Sequence, residues 1–489
     1  MSMTFDDLLP LMPLLIVTAT SVLAMLMIGV RRSYIMTGFI TITGLLLATL
    51  AASLMMDTTN QQVTPLLIID KYTLLFTVMV CAAAMFIAIL SFPYFIELAD
   101  HREEYYLLLT VATIGAIVMV SSNHFVGAIL GLETLSMSLY GMVAYPLHCK
   151  QSAKYPLEAS VKYLVLSAAA SGFILFGMAL VYAQTGTLSF VSLMELPAAE
   201  YSLGDNYSII ALLMIFSGMV FKLSLAPFHM WTPDVYEGSP IPATAYLATI
   251  GKAAMFVVFL RFVVSSDALE FEPVVRVLTL IAAASMMAGN ILALLQSNLK
   301  RILAYSSIAH MGYLLIAIIA GRYVTGTISV EAVTFYLLAY IIMSLGAFGV
   351  VSIVSSSEKE FDSLADYRGL FWRNPWLATV FIAMLLSLAG IPLTVGFIGK
   401  FYIFLSGVEA ELWALLGVLV LGSGIGLYYY LRIVYHMLMP QRDDIPYRIG
   451  GIESVSSYAV LVVLLFLLLL FGIYPSPIMS LVASASLYI

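Results

Sequence analysis

The amino-acid sequence predicts an all-α, polytopic membrane protein with about fourteen transmembrane helices, which include two inverted five-helix repeats. Composition is the first observation behind this prediction: of 489 residues, 62% are hydrophobic and 10% are charged, whereas soluble domains have about 25% charged residues. The second observation is that the apolar residues occur in stretches of roughly 20, the length that spans a bilayer. The third is that two of these stretches are interrupted. The composition excludes a soluble enzyme.

Fourteen apolar segments follow one another along the chain. In order, they are residues 8–30, 35–55, 72–92, 105–121, 124–145, 159–184, 208–228, 241–264, 274–296, 302–320, 329–354, 375–406, 410–435 and 455–482. The first segment follows an acidic start without the basic stretch of a secretory signal peptide, so we expect it to be retained. The connections between segments are too short for a soluble domain.

The charged residues predict the orientation. Of the 21 Lys and Arg residues, thirteen, including Lys300 in the connection between segments 9 and 10, fall in connections or near segment ends on one side, and four do so on the other. Because the side richer in Lys and Arg faces the cytoplasm, we expect the N-terminus outside, and an even number of helices then places the C-terminus outside too.

The net charge of -7, without a basic stripe, argues against nucleic-acid binding.

The sequence contains no pattern typical of cofactor binding. Its two cysteines, Cys81 and Cys149, cannot supply a four-cysteine zinc site or an iron-sulfur cluster from one chain. No GxxxxGK[ST] phosphate-binding pattern occurs, and the one glycine-spaced stretch, GSGIG at 422–426, lies inside an apolar segment, where it favours close helix packing. We therefore expect no flavin, haem, metal, cluster or dinucleotide in this chain.

Four lysines lie inside apolar segments: Lys162, Lys222, Lys252 and Lys400. A lysine at the bilayer centre costs roughly 2.5 to 3.5 kcal/mol on insertion scales, and such residues usually face a polar interior or a wet cavity. The alternative is a structural ion pair or a side chain that reaches the membrane surface. That alternative has most weight for Lys162, which is near the start of its segment and is therefore the weaker functional candidate.

Two of these lysines lie next to predicted breaks in their helices. Pro227 follows Lys222 and removes a backbone hydrogen bond of segment 7. Gly390 and Pro392 precede Lys400 and divide segment 12, which is otherwise too long for a core of about 30 Å. Broken helices are tolerated where they line a cavity, and breaks combined with charge are typical of ion paths.

The interrupted segments, 7 and 12, are five apart in the series. Because five is odd, corresponding helices run in opposite directions, as in inverted repeats. We therefore predict four units: residues 1–104 with segments 1 to 3, 105–264 with the first repeat, 265–436 with the second repeat, and 437–489 with segment 14. The sequences around the two breaks are too different to establish the repeat by themselves.

Two further titratable residues lie near mid-membrane. Glu133 is roughly 14 Å into segment 5, and His310 is about ten residues into segment 10, with Ser306 and Tyr313 at helical spacing on its face. Imidazole exchanges protons near neutral pH. A single histidine in an apolar helix is more often a satisfied core residue, so both interpretations of His310 stay open at this point.

Five stretches together resemble the antiporter-like membrane subunits of respiratory NADH-quinone oxidoreductase, the proton-pumping complex I. They are AILGLETLSMSLYG at 128–141, EASVKYLVLSAAASGFILFG at 158–177, FKLSLAPFHMWTPDVYEG at 221–238, LKRILAYSSIAHMGYLL at 299–315 and GFIGKF at 396–401. The resemblance covers essentially the whole chain. Subunit M typically has a glutamate where this chain has Lys400, and subunit L has a long lateral helix beyond segment 14, so we expect a type with neither feature.

The resemblance implies a role for each of these residues. Glu133 and Lys222 take the positions of the family's modulating pair. Lys252 and His310 take those of the relay that carries protons along the membrane plane, and Lys400 takes that of the residue connecting toward the outside.

Cofactors, partners and location also follow from the resemblance. FMN, iron-sulfur clusters and quinone are expected in other subunits, while this chain contributes proton translocation. Its expected partners are the other membrane-arm subunits, namely antiporter-like subunit M and small membrane subunits, together with the lipid bilayer. The expected location is the bacterial inner membrane, with both termini on the periplasmic side.

Three other functions compete with this one. A subunit of a multi-subunit sodium/proton antiporter shares the ancestry and the same Glu and Lys positions. A transporter of an organic solute would need a midplane pocket, for which the sequence has no residue cluster. A purely structural scaffold is disfavoured because embedded lysines are costly.

Overall fold

The computed structural model describes residues 9–56, 61–96, 98, 101–145, 154–190, 206–266, 268–324, 327–357, 360–440 and 455–488. Cys149 lies outside these residues, whereas Cys81 is buried. Within them, the helices longer than four residues are α1 (Met12–Val30), α2 (Tyr34–Leu54), α3 (Lys71–Phe95), α4 (Glu104–Val120), α5 (Phe125–Ala144), α6 (Lys154–Thr185), α7 (Asn206–Lys222), α8 (Trp231–Gly238), α9 (Ile241–Ser265), α10 (Glu272–Leu294), α11 (Leu299–Ala320), α12 (Ile328–Val354), α13 (Pro375–Ala389), α14 (Val395–Glu409), α15 (Trp413–Leu438), α16 (Val455–Ile473) and α17 (Ser476–Ser486).

These helices confirm the predicted all-α, multi-pass membrane fold. In the described part of the chain, eleven helices are long and apolar enough to cross a membrane. The remaining predicted segments correspond to shorter helices: segment 4 is α4, segment 7 is α7, and segment 12 is α13 followed by α14. At 17 residues each, α4 and α7 extend about 26 Å, close to the thickness of the hydrocarbon core. The division into four units stays a prediction.

Helices α9, α11 and α12 form the centre of the bundle, and α11 is buried along almost its whole length. The outer helices α1, α2, α6, α15 and α16 expose large apolar side chains on one side. In a bilayer such a face contacts lipid, while the polar groups of the central helices must find partners inside the protein. The centre is therefore where buried charged residues can be accommodated.

The seventh segment ends earlier than predicted. Helix α7 ends at Lys222 rather than at residue 228, and residues 223–230 form turns before α8 begins. The indole N–H of Trp231 donates to the Phe221 carbonyl at 3.1 Å, which ties α8 to the end of α7. As a result, Lys222 lies at the break itself and not within a continuous helix.

Two later breaks have visible backbone causes. Helix α13 ends at Ala389, where Gly390 adopts a left-handed conformation with φ of 87° that glycine tolerates without strain. Segment 14, predicted as one helix, is divided after Ile473. Pro475 and Pro477 lie at this second break, and proline is favoured at the start of a helix rather than inside it.

A small strand pair, which the sequence analysis did not predict, leads into a buried ion pair. Strand β1 (Gln61–Gln62) pairs antiparallel with β2 (Ile68–Ile69). The next residue, Asp70, begins α3 by accepting a hydrogen bond from the Thr73 backbone N–H at 2.6 Å. Its carboxylate also accepts two hydrogen bonds from the Arg261 guanidinium, at 2.9 and 3.3 Å. The pair joins the start of α3 to α9 away from water.

Replacing Arg261 with glutamine is expected to destabilise the subunit by roughly 3 to 5 kcal/mol, because it leaves the Asp70 carboxylate buried and uncompensated. The Arg261 and Asp70 side chains are 3% and 0% exposed. Arg276→Gln is the matched control, since Arg276 is 75% exposed and pairs with Glu272, and surface pairs contribute about 0 to 1 kcal/mol. The measurement is the thermal unfolding temperature of each purified variant. Equal temperatures for the two variants would contradict the prediction.

Candidate functional site

Lys222 lies in a polar site between three helices. Its Nζ donates to Ser136 Oγ on α5 at 3.2 Å and to Ser167 Oγ on α6 at 2.5 Å, and the Tyr140 hydroxyl donates to the same Ser167 at 2.7 Å. Lys222 is 8% exposed. Because it is the last residue of α7, it lies where the helix dipole favours a positive charge.

Glu133 belongs to the same site but does not bond to Lys222. It lies one turn before Ser136 on α5 and accepts a hydrogen bond from Ser171 Oγ at 2.6 Å. Ser171 in turn lies one turn after Ser167 on α6. Within the described residues, no direct ion pair joins Glu133 to Lys222. The carboxylate and the ammonium instead bond to two serines one turn apart on α6, Ser171 and Ser167.

Lys252 lies directly after a π-helical turn, Leu247–Gly251, in the middle of α9. Such turns are rare and frequently occur at functional sites, and nothing in the sequence predicted this one. Lys252 Nζ donates to Ser307 Oγ on α11 at 2.7 Å and lies 5.8 Å from the ring centroid of Tyr236. The lysine is 2% exposed. Among the described residues its ammonium has one hydroxyl partner and one aromatic face nearby, in otherwise apolar surroundings.

His310 has a hydroxyl partner on each ring nitrogen. Its Nδ1 lies 2.6 Å from the Tyr336 hydroxyl, and its Nε2 lies 3.3 Å from the Tyr430 hydroxyl. Tyr430 is also hydrogen-bonded to Ser306. The histidine is therefore satisfied, as the core interpretation expects. However, a hydroxyl can both donate and accept, so the same contacts are compatible with proton exchange.

Helix α11 brings the Lys252 and His310 sites together. Ser307, which contacts Lys252, lies one turn before His310 on the same helix. Its neighbour Ser306 contacts Tyr430, the partner of His310. The two sites thus share one turn of a buried helix, although no direct hydrogen bond joins Lys252 to His310 in the residues that the structure describes.

Lys400, on α14, reaches back to the end of α13. Its Nζ donates to the carbonyls of Leu388 and Ala389, both at 2.9 Å. The last carbonyls of a helix lack partners within the helix and attract a cation. A Cβ at Gly390 would lie 2.9 Å from Lys400 Cδ, so the glycine at the break also makes room for the lysine stem.

Lys162 differs from the other three lysines. It is 44% exposed and forms ion pairs with Glu158 at 2.9 Å and Asp234 at 3.1 Å, and Arg301 bonds to the same Asp234. Partial burial would by itself raise the pKa of Asp234, but the hydrogen bonds from Arg301 and Lys162 hold that pKa below its ordinary value. Asp234 is therefore charged at neutral pH, and the geometry favours the structural alternative for Lys162.

A polar cavity of about 570 Å³ adjoins this ion-pair network, with Lys162, Asp234 and Glu360 in its lining. Lys300 lies behind Glu360 and donates to its Oε2 at 2.5 Å and to the Ser239 carbonyl at 2.9 Å. The prediction that Lys300 belongs to a connection was wrong. It lies in the first turn of α11 and is completely buried, because Glu360 compensates its charge.

The hydroxyl groups that contact these titratable residues were missed by the sequence analysis. They are Ser136, Ser167 and Ser171 around the first site, and Ser307, Tyr336 and Tyr430 around the second. Spacing of three residues from Glu133 or His310 would have pointed to Ser136 and Ser307.

Among the described residues, no three His, Cys, Asp or Glu side chains are close enough to hold a metal ion.

A bundle of membrane helices that buries titratable groups beside its helix breaks defines an ion-translocating membrane protein. Residues 122–426 match the family described as "NADH:quinone oxidoreductase/Mrp antiporter, TM", so the chain belongs to that family. The relative "NADH-quinone oxidoreductase subunit N" of Ectopseudomonas mendocina is 45% identical over 99% of this chain and 97% of that protein. The expected resemblance is confirmed, and the branch of the family is that of subunit N.

Solved structures agree with this assignment. A chain of respiratory complex I from Thermus thermophilus has a TM-score of 0.81 and 32% identity, covering 97% of this chain and 100% of that chain. A chain of the Mrp complex from Dietzia sp. has a TM-score of 0.86 but 20% identity, covering 99% of this chain and 97% of that chain. At that identity the second match establishes the shared fold alone.

Proposed function

We propose that this chain is a proton-translocating membrane subunit of an NADH-quinone oxidoreductase and is part of an enzyme only through that complex. The observation that carries the proposal is the series of buried titratable side chains, Lys222, Lys252 and His310, each of which is hydrogen-bonded to at least one hydroxyl group within the bundle. Burying such groups in a membrane is costly, and residues of this kind usually mark ion paths.

The proposed roles follow the positions of these residues. Glu133 and Lys222 form a modulating pair across one turn of α5 and α6. Lys252 and His310 pass protons through the turn of α11 that they share. Lys400 connects this path toward the outside, and Lys162 contributes mainly to the ion pairs near the cavity.

Electron transfer takes place elsewhere in the proposed complex. FMN, iron-sulfur clusters and quinone belong to other subunits, and this chain carries none of them. Its partners are antiporter-like subunit M, small membrane subunits and the lipid bilayer, with no role for nucleic acid. Support comes from the family relationship and from the apolar outer helices.

The chain is proposed to lie in the bacterial inner membrane with both termini on the periplasmic side. The support is the excess of Lys and Arg in connections on the opposite side, since such residues favour the cytoplasm. The proposed units 105–264 and 265–436 are inverted repeats. Their support is that α7 and the α13–α14 pair are both interrupted beside a lysine.

The sodium/proton antiporter remains the second candidate because the Mrp complex has the same fold. It has less support, since 45% identity to subunit N over nearly the full length exceeds 20% identity to the Mrp chain. An organic-solute transporter and a structural scaffold have no comparable support.

Purification from native membranes in mild detergent tests the proposed function. We expect the chain to co-purify with the subunits that oxidise NADH, and membrane vesicles containing it to acidify upon NADH addition in an inhibitor-sensitive way. Deletion of the gene should abolish this pumping, and restoring the gene should return it. Sodium/proton exchange driven by an imposed gradient, without a response to NADH, would overturn the proposal in favour of the antiporter.

A further inference from the structure

Tyr313, on α11, contacts both His310 and Lys400. Its ring centroid lies 5.5 Å from that of His310, with an interplanar angle of 74°, and 5.3 Å from Lys400 Nζ. The face of an aromatic ring attracts an ammonium group, most strongly where water is excluded. Tyr313 is 1% exposed. Its ring is thus a contact that the histidine and lysine sites share.

Asn290, on α10, fixes the hydroxyl of this tyrosine. Its Nδ2 donates to the Tyr313 hydroxyl at 2.9 Å and to the Met286 carbonyl at 2.8 Å, while its Oδ1 accepts from the Tyr429 hydroxyl at 3.2 Å. The Met286 carbonyl can only accept, so it fixes which end of the amide faces Tyr313. Asn290 is 1% exposed, and a buried network whose members are all bonded is rigid.

The GSGIG stretch provides the space that Asn290 needs. A Cβ at Gly422 would lie 2.8 Å from Asn290 Nδ2, and a Cβ at Gly426 would lie 3.3 Å from Asn290 Oδ1. These two glycines are one turn apart and face α10. Gly424, between them, has open space where its Cβ would be. The stretch therefore does more than allow close packing, because two of its glycines seat one amide.

We infer that Asn290 is a positioning residue for proton transfer at Lys400: seated by Gly422 and Gly426, it holds the Tyr313 ring against the Lys400 ammonium. This inference rests on the proposed function. Lys400 has a partner on its other side, the carbonyls at the end of α13. When Tyr313 is no longer held, only those carbonyls fix the ammonium, and the contact between the lysine and the ring beside His310 is lost.

A series of variants in the assembled complex tests the ring and its anchor. We expect Tyr313→Leu to lower NADH-driven pumping roughly tenfold, the effect of losing one desolvated cation–π contact. Tyr313→Phe keeps the ring and should retain more pumping than Tyr313→Leu. Asn290→Ala also loses its bonds to Met286 and Tyr429, so it should pump no better than Tyr313→Phe. The double variant Asn290→Ala/Tyr313→Phe should be no worse than Asn290→Ala, because the Tyr313–Asn290 hydrogen bond that Tyr313→Phe removes is already absent. Equal losses for Tyr313→Phe and Tyr313→Leu would overturn the inference.

Variants of the glycines distinguish a positioning role of Asn290 from a role in packing alone. Gly422→Ala should lower pumping, whereas Gly424→Ala in the same turn should leave it unchanged. In the double variant Gly422→Ala/Asn290→Ala, the added methyl group no longer clashes with the Asn290 amide. If Asn290 serves only packing, pumping should then recover fully. If Asn290 positions Tyr313, pumping should stay at the level of Asn290→Ala. Full recovery would overturn the inference.

If Lys400→Ala pumps normally, the proposed function of Lys400 fails instead. If Lys400→Ala loses pumping while Asn290→Ala and Tyr313→Phe keep it, only this inference fails.

Discussion

Replacing Lys252 with methionine is expected to lower the rate of proton pumping by the assembled complex roughly 100-fold or more. This is the lower end of the range of rate losses expected when a group that transfers protons is removed. Methionine has a similar length and packs in an apolar site, so the loss is of the exchangeable proton and not of volume. Lys252 is buried, and its ammonium bonds to Ser307, one turn from His310. Removing it interrupts the proposed path at its centre. If coupling is tight, NADH oxidation should fall as well.

Lys71→Met is the matched control for Lys252→Met. Lys71 begins α3 and has no role in the proposed path, so the same chemical change there should leave pumping at the wild-type rate. Pumping is measured as NADH-dependent acidification of vesicles, after a blue-native gel has confirmed assembly of each variant. An assembled Lys252→Met complex that pumps as fast as the Lys71→Met complex would show that protons do not pass through Lys252.

Much of the fold could be predicted because a membrane allows few alternatives. Backbone groups in lipid must be satisfied within a helix or a closed barrel. Apolar stretches of about 20 residues have the length of a spanning helix and are too long for a spanning strand, so each was expected to be helical. The break before Lys400 was predictable because Gly390 and Pro392 are visible in the sequence. The turn before Lys252 was not predictable, since Leu247–Gly251 contains nothing that distinguishes a π-helical turn from an α-helical one.

The charged part of the site was predictable, whereas its hydroxyl groups were not. A lysine in an apolar segment is rare enough to attract notice, as Lys222 does. Serines are common in these helices, and many bond only to the preceding turn, as Ser217 does to the Leu213 carbonyl at 2.7 Å. Ser167 has the same residue type but contacts Lys222. Only the packing of α6 against α7 distinguishes it.

Lys222→Arg is expected to impair pumping nearly as much as removal of the charge, although it keeps a positive charge. A lysine can alternate between ammonium and amine, whereas a guanidinium does not lose its proton in proteins. Lys222 is held by two hydroxyl groups, from Ser136 and Ser167, and no carboxylate in the described part of the chain bonds to it. A group that only had to remain charged would be expected to have a direct ionic partner, as Lys300 has in Glu360.

Variants of Glu133 test whether its carboxylate tunes proton binding at Lys222. Glu133 accepts a hydrogen bond from Ser171 at 2.6 Å, and glutamine can accept that bond through its carbonyl without the charge. Glu133→Gln should therefore preserve the local contact but impair pumping, because a charge that tunes proton binding at Lys222 is missing. Glu133→Asp keeps the charge and should retain part of the activity. Equal pumping by the two variants would mean that the carboxylate has no electrostatic role.

Pumping by the reconstituted complex should be compared for wild type, Lys222→Arg and Lys222→Met across roughly pH 6 to 9, since proton transfer works best when protonation changes near the operating pH. Lys71→Arg is the matched control, because it makes the same replacement at the start of α3, outside the path. We expect Lys222→Arg to stay low throughout the range while Lys71→Arg follows wild type. If Lys222→Arg pumps normally at every pH, then Lys222 does not release a proton during turnover, and its contacts with Ser136 and Ser167 serve only to hold three helices together.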